Sequence, residues 1–416
     1  MAAECYSDGQ TPLPEDEAIR LLCGEARPVK ECERVSLAQA YGRILSEDQI
    51  ATVDVPFIDN SAMDGYAVRA RDIVSSGITR LPVLQRIPAG KTGVTLKPGT
   101  AARIFTGAAV PPGADTVVMQ EDCTQEQESI LIEGPLAEGT NIRRAGEDIP
   151  RGSKILGKGT RLRAQHVGLA ASVGLSELPV FRKIRVAVFF TGDELLLPDQ
   201  QITKGKVYNS NRYVMIGLLQ RLGCEIIDLG DIPDDYSATC EALEQARVNA
   251  DLILASGGVS VGEEDHVRTA VARLGQLKLW KIAVKPGKPL VFARLGDAPF
   301  IGLPGNPVSV FVTFCLYARP FLSILQGQTY SAPDFLWVQA GFERKRGHNR
   351  REYLRARIEI DESGNNIARL FPNQSSGVLS SIVWADGLVC VPEHQTIQTG
   401  QMVRYLPLSS CQGEDW

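Results

Sequence analysis

Two glycine-containing loops of the chain have residues at spacings suited to holding a phosphate-like anion. Ser256, Gly257, Gly258, Val259, Ser260, Val261 and Gly262 are followed directly by Glu263, Glu264 and Asp265. Glycine accepts positive φ and bares backbone N–H groups, and a helix starting just beyond favours negative charge. An ordinary tight strand-to-helix turn accounts for the same run. In the second stretch, Gly302 to Pro307, Asn306 suits an N-cap and Pro307 the first helical position. Taken singly it reads as a structural helix start. Both loops at one sheet edge favour an anion cleft.

The acids fall into two groups. Glu194, Asp234 and Asp265 lie just past predicted strand ends, where side chains converge on such a cleft. Asp231, Asp235, Glu263 and Glu264 read as solvated loop acids. Carboxylates beside an anion repel it unless Mg2+ or a lysine intervenes. Lys281 and Lys285 alternate with Ile282 and Val284, so in a strand both lysines and Ala283 share one face. An edge strand whose lysines reach out to solvent is the competing reading. No nucleophile sits beside an evident base, so no covalent intermediate is expected.

These residues need a scaffold, and residues 181–328 supply the pattern for one. A continuous apolar run over 184–191 suits a strand buried on both faces. Helix 211–222, strand 225–229, helix 236–249, strand 252–255, helix 265–274, strands 277–284 and 290–293, and a helix from Asn306 follow. That order predicts a doubly wound, mostly parallel sheet. Residues 46–148 alternate short β-rich runs with Gly/Pro turns and read as a small inserted β domain. The flanks 1–45 and 149–180 read as one helical domain, and 329–416 as a C-terminal β domain.

Composition narrows the class. The 416 residues exceed one core, and 44% apolar with 22% charged residues is ordinary for a globular protein. A net charge of −5 gives no reason to expect nucleic-acid or membrane binding, although Arg344, Lys345, Arg346, Arg350, Arg351, Arg355 and Arg357 crowd one segment. The polar, acidic start lacks the apolar core of a signal peptide, and the apolar run 308–318 is too short to span a bilayer. A cytoplasmic protein is expected. Nine scattered cysteines without a CxxC pair and four isolated histidines argue against a disulfide scaffold or zinc site.

Outside the α/β region, residues 59–67, 104–108 and 146–149, within DNSAMDGYA, RIFTGAAVPPGADTVV and RAGEDI, look like folded polar loops, although turns favour the same residues. Together with TGDEL, SGGVSVGEEDHV, KPGKPL, GLPGNPVSV, RREYLRARI and QSSGVLSSIVWADGL they resemble, in order and over essentially the whole chain, the MoeA family of molybdopterin molybdenumtransferases. The resemblance implies molybdenum insertion from molybdate into adenylylated molybdopterin, AMP release and assistance by Mg2+. It also implies a homodimer whose cleft lies between the α/β domain of one subunit and the second domain of its partner.

Carried over motif by motif, the acidic site residues are Asp59, Asp148, Glu194, Asp234 and Asp265, the last three as metal ligands. Thr106, Lys281, Lys285, Pro304, Pro307, Arg351 and Ser376 are the implied ligand-binding set, and the reading of the glycine loop adds Ser256, Gly257, Gly258, Ser260 and Gly262. Implied partners are the molybdopterin adenylyltransferase and downstream molybdoenzyme maturation proteins. Two other readings are weighed. One is the adenylyltransferase itself, a single related domain whose glycine loop reads SGGTG where Val259 and Ser260 stand here. The other is a gephyrin-like scaffold, against which the intact acidic residues and the lack of a fused adenylyltransferase domain count.

Overall fold

A computed structural model describes residues 12–259, 266–287, 289–330 and 332–411. The chain divides into two compact units, one containing 12–33, 42–46 and 179–411, the other 34–41 and 47–178.

In the first unit, a six-stranded sheet runs in the order Glu225–Ile232, Arg185–Thr191, Leu252–Ser256, Ala298–Leu303, Pro289–Leu295 and Gln276–Lys281. The first four strands are mutually parallel and the last two antiparallel to their neighbours. The strand Arg185–Thr191 shows why its sequence is continuously apolar. Val186, Val188 and Phe190 enter a core on one face, while Ala187 and Phe189 enter a separate core on the other. With a side-chain period of two, a strand covered on both sides must be apolar at every position.

The first face is covered by Ser210–Arg221 through Met215, Leu218 and Leu219, and by the long helix beginning at Pro307. The second is covered by Tyr236–Asn249 and His266–Leu274. Asn209 caps Ser210–Arg221 by accepting from the Arg212 N–H at 3.1 Å, and Asp235 caps Tyr236–Asn249 by accepting from Ala238 N–H at 2.8 Å. Asp235, expected as a solvated acid, is thus a helix cap. The helix over Pro307–Leu325 is long and apolar enough to cross a membrane, and 83% of its apolar window is buried within the fold. It is a core helix of this unit.

The strand pattern departs from expectation twice. Ala298–Leu303 is a strand that the sequence pattern hides, because Pro299 and Gly302 look like turn residues. All six of its residues are buried in the middle of the sheet, and Gly302 is required there since a Cβ would lie 2.6 Å from Val259 Cγ1. The strand expected over 277–284 instead breaks after Lys281. Ile282 and Ala283 bridge to Leu13, through Leu13 N–H to Lys281 O at 3.0 Å and Ala283 N–H to Leu13 O at 2.8 Å. Val284–Lys285 then joins a different sheet, parallel to Arg351–Glu352. Lys281 and Lys285 therefore do not share a strand face.

That second sheet also contains Arg351–Ile360, Asn366–Leu370, Leu336–Ala340, Met402–Pro407 and Gly387–Val391, and pairing of Arg351–Ile360 with Gly387–Val391 closes these five strands on themselves. The N-terminal region also departs from a helical reading. Glu15–Glu25 and Leu37–Ala40 are helical, with strand Cys32–Ser36 between them. Glu15–Glu25 does not group with 149–178, because its buried Ala18 and Leu22 belong to the core shared with Phe321 and Tyr353.

The other unit holds a six-stranded sheet in the order Thr116–Met119, Gly65–Val68, Ala101–Ile104, Ile78–Ile87, Ser129–Glu133 and Cys123–Glu126, together with helix Ala164–Ser172.

Gly257 is the position where the first unit's glycine loop is least replaceable. Its φ is +98°, and a Cβ would stand 2.3 Å from the Thr191 carbonyl oxygen. Gly257→Ala should cost at least about 1–3 kcal/mol from the backbone conformation alone. Urea unfolding at equilibrium checks this, and an unchanged midpoint would contradict the packing described.

Candidate functional site

The parallel strands end together, and polar side chains lace those ends. The Ser256 hydroxyl, 2% exposed, donates to the Pro304 carbonyl at 3.0 Å and accepts from the Asn211 amide at 3.1 Å. Asn211 donates also to the Gly305 carbonyl at 2.7 Å. The loops after Ser256 and Leu303 are thereby tied to the first turn of helix Ser210–Arg221. Above them opens a cleft of about 1140 Å³.

Two helix starts face this cleft, at Ser210 and at Pro307. Asn306 precedes Pro307 without making a side-chain cap, and the Val308 N–H donates to the Ser376 carbonyl at 3.0 Å. That bond brings the 374–377 loop to the cleft wall. Lys285 and Arg350 supply positive charge, Glu194 the negative charge, and Ser210, Ser309, Ser375, Ser376, Asn209 and Gln374 supply hydroxyls and amides. Helix N-termini with a lysine, an arginine and neutral donors form a site for an anion with several oxygens.

The structure distributes the sequence-derived residues unevenly. Glu194, Lys285, Pro304, Pro307 and Ser376 line the cleft, and Ser256 lies beneath it. Gly257 and Gly258, both at positive φ, carry the loop past Thr191. Asp234 is bound crosswise to Asp193, each carboxylate accepting from the other's N–H, at 3.1 and 3.2 Å. Lys281 ends its strand and is not among the cleft residues. Ser260, Gly262 and Asp265 lie outside the described residues. Among the described residues no group of three or more His, Cys, Asp or Glu is arranged to hold a metal.

Asp59, Thr106 and Asp148 belong to the second unit. Asp59 accepts from the Ala145 N–H at 2.8 Å and from Arg144 at 2.7 Å, and these bonds hold its carboxyl below the usual range. Thr106 donates through N–H and hydroxyl to one oxygen of Asp64, at 2.8 and 2.7 Å. Asp148 is exposed, with its N–H on the Val55 carbonyl at 3.0 Å.

Arg351 turns away from the cleft. Its guanidinium meets Asp16 at 3.1 Å, Glu393 at 3.5 Å and Glu15 at 3.6 Å, beside a separate small cavity. Its neighbour Arg350, in the bend just before that strand, faces the cleft in its place and donates to the Val284 carbonyl at 3.2 Å. Sequence reasoning missed Arg350, and it missed Asn209, Ser210 and Asn211. The N-cap pattern of NSNR ahead of an apolar-periodic helix was the available signal for those three.

Comparison with known proteins bears on what this cleft belongs to. Residues 13–174 match the MoeA N-terminal region (domain I and II), 187–323 a probable molybdopterin binding domain, and 338–408 the MoeA C-terminal region (domain IV). A molybdopterin molybdenumtransferase of Haemophilus influenzae is 37% identical over 387 residues, covering 92% of this chain and 95% of that protein. The chain belongs to the MoeA family.

A Bacillus subtilis member of the family, also named molybdopterin molybdenumtransferase, is 32% identical over 419 residues, covering 98% of this chain and 96% of that protein. The crystal structure of a molybdopterin biosynthesis MoeA protein from Pyrococcus horikoshii superposes with a TM-score of 0.83 at 30% identity, covering 95% of this chain and 100% of that one. The family's multidomain architecture, with a mostly parallel α/β sheet and a C-terminal β domain, is the one seen here.

The cluster around Arg351 carries a pH dependence of its own. Burial pushes the Glu15 carboxyl up to about 7, against the pull of the Tyr353 hydroxyl, which donates to it at 2.6 Å, and of Arg351. Its ordinary value is 4.5, so the folded protein binds the extra proton between these values. Stability from this group is full below 4.5 and is lost as pH rises to about 7, a loss on the order of 3 kcal/mol. Glu15→Gln should flatten the stability profile over that window and stabilise the protein above it. Urea unfolding at a series of pH values checks the slope, and an unchanged slope in the variant would refute the assignment.

Proposed function

We propose that this chain inserts molybdenum from molybdate into adenylylated molybdopterin, releasing AMP and giving molybdenum cofactor. The observation that carries the reading is the cleft, where Lys285, Arg350 and two helix starts converge at the strand ends in a chain spanning 95% of a named transferase. Both reactants are anions, and their oxygens suit the N–H groups, hydroxyls and cations of this wall.

Glu194 and Asp234 are hard oxygen donors at adjoining strand ends, a chemistry that fits Mg2+. Mg2+ bound there would polarise a phosphoanhydride or molybdate oxygen. The protein's own part is to bind and orient. Lys285 and Arg350 hold anionic oxygens, and the serine and amide side chains fix their direction. Positive helix ends oppose charge accumulating on the departing AMP.

Coverage of 92% of this chain by the Haemophilus influenzae protein supports the transferase over a single-domain adenylyltransferase. The donor-rich cleft supports an enzyme over a scaffold. The reading includes a cytoplasmic homodimer in which Asp59, Thr106 and Asp148 of one subunit complete the cleft of the other. It receives substrate from the adenylyltransferase and passes product to molybdoenzyme maturation proteins.

Incubation with adenylylated molybdopterin, Mg2+ and molybdate, following AMP, tests the activity. Glu194→Gln should slow Mg2+-dependent release by about a hundredfold. Lys285→Ala should mainly raise the molybdate concentration needed for half-maximal rate. Normal kinetics in both variants would move the active site elsewhere.

Mixing tests the shared site. Asp59→Ala and Glu194→Gln proteins, each nearly inactive, are dissociated and reassociated together. Half the dimers are then mixed and each gains one intact cleft, so activity should return to roughly a quarter of wild type. No recovery, with mixed dimers verified by a tag pull-down, would sink the intersubunit arrangement.

A further inference from the structure

Behind the cleft wall lies a carboxylate that meets the cleft through one of its cations. Glu352 is 1% exposed and is not a lining residue. One of its oxygens stands 3.1 Å from the Lys285 ammonium, and the other faces the Arg344 guanidinium. Its backbone is paired with that of Lys285 in the parallel ladder Val284–Lys285 to Arg351–Glu352. Arg350, which directly precedes that ladder, lines the cleft and donates to the Val284 carbonyl at 3.2 Å. Glu352 and its ladder thus meet the two cations among the described cleft residues.

A carboxylate buried this completely is expensive, and replacing a buried ion pair by apolar groups is often neutral for stability. Fold stability alone is a poor reason for it. Lysine is a flexible four-carbon stem with many rotamers, so an untethered Lys285 would sample many positions at the cleft wall. A fixed carboxylate behind it selects one.

We propose that Glu352 is a positioning residue that acts through Lys285, holding its ammonium at the cleft wall in the orientation that meets the anionic substrate. The proposal rests on the molybdate-binding reading of the same cleft. Its consequence is opposite to that of simple electrostatics. Removing a negative charge next to an anion site strengthens anion binding if charge alone matters. Removing Glu352 should weaken it, because Lys285 is released.

The test is calorimetric titration of the full-length protein with molybdate, without turnover, on a double-mutant cycle. Glu352→Gln should bind molybdate about tenfold more weakly than wild type, and Glu352→Asp, which keeps the charge, should recover most of that loss. In a Lys285→Met background, Glu352→Gln should change affinity by less than about twofold. Tighter binding in Glu352→Gln, or the same weakening in both backgrounds, would overturn the proposal. The second result would assign Glu352 a purely structural role. If Glu352→Gln does not fold by circular dichroism, Glu352→Asp takes its place in the cycle. Its smaller loss should then vanish in the Lys285→Met background, and a loss of equal size in both backgrounds would be equally decisive against the proposal. AMP release by wild type is measured separately, so absence of turnover would count against the proposed reaction while the binding cycle still decides the role of Glu352.

Discussion

The crossing of the chain from one sheet to another at Ile282 and Ala283 is the constraint on which the cleft depends. Lys281 ends an antiparallel edge strand of the α/β sheet, and after those two residues Val284 is paired in the C-terminal sheet. Leu13 pairs with the Lys281 carbonyl and the Ala283 N–H, the Ala283 carbonyl accepts from the Arg351 N–H at 3.0 Å, and Ile282 and Val284 are wholly buried. Buried backbone N–H and C=O groups must find partners, so this short crossing is held from both sides. It delivers Lys285 to the cleft and sets Arg350 beside it. The Val308 to Ser376 hydrogen bond repeats the link on the other wall, joining the start of the core helix to the 374–377 loop.

Charge in this region is sorted by the partners that the fold brings to each side chain. The basic segment from 344 to 357 carries seven cations, and the structure gives five of them separate tasks. Arg344 meets Glu352, Arg350 faces the cleft, and Arg351 meets Glu15, Asp16 and Glu393. Arg355 is buried, donating to Ser381 and to the Ser375 carbonyl, and Arg357 stacks on Trp384 while donating to its carbonyl. Ser375 is itself a cleft residue, so a buried arginine also supports the loop that lines the cleft. The acids show the same division of labour, with Asp231 accepting from the buried Asn209 at 2.5 Å and Asp235 capping a helix.

Much of this was legible before any coordinates. The run from 184 to 191 is apolar at nearly every position, as a strand covered on both faces requires. The helix Tyr236–Asn249 matches its 3.6-residue pattern end to end. Glycines at 257 and 258 stand where a Cβ would strike Thr191 or Val267. Local signals misled where they were outvoted by tertiary packing. Pro299 and Gly302 look like a turn, yet their strand is fully buried between two neighbours, and Gly302 is there because a Cβ would strike Val259.

What the sequence by itself determined was the alternation of buried strands and amphipathic helices, the glycine loop, and the motifs that mark the family. Those depend on side-chain period, steric freedom and residue order, all of which are local. Which of two adjacent arginines reaches the cleft, and which carboxylate stands behind Lys285, was decided only by the tertiary structure. The register of Val284–Lys285 against Arg351–Glu352 sets both. A shift of one residue in that ladder would exchange the two faces of the strand, and no local pattern in the basic segment fixes its register.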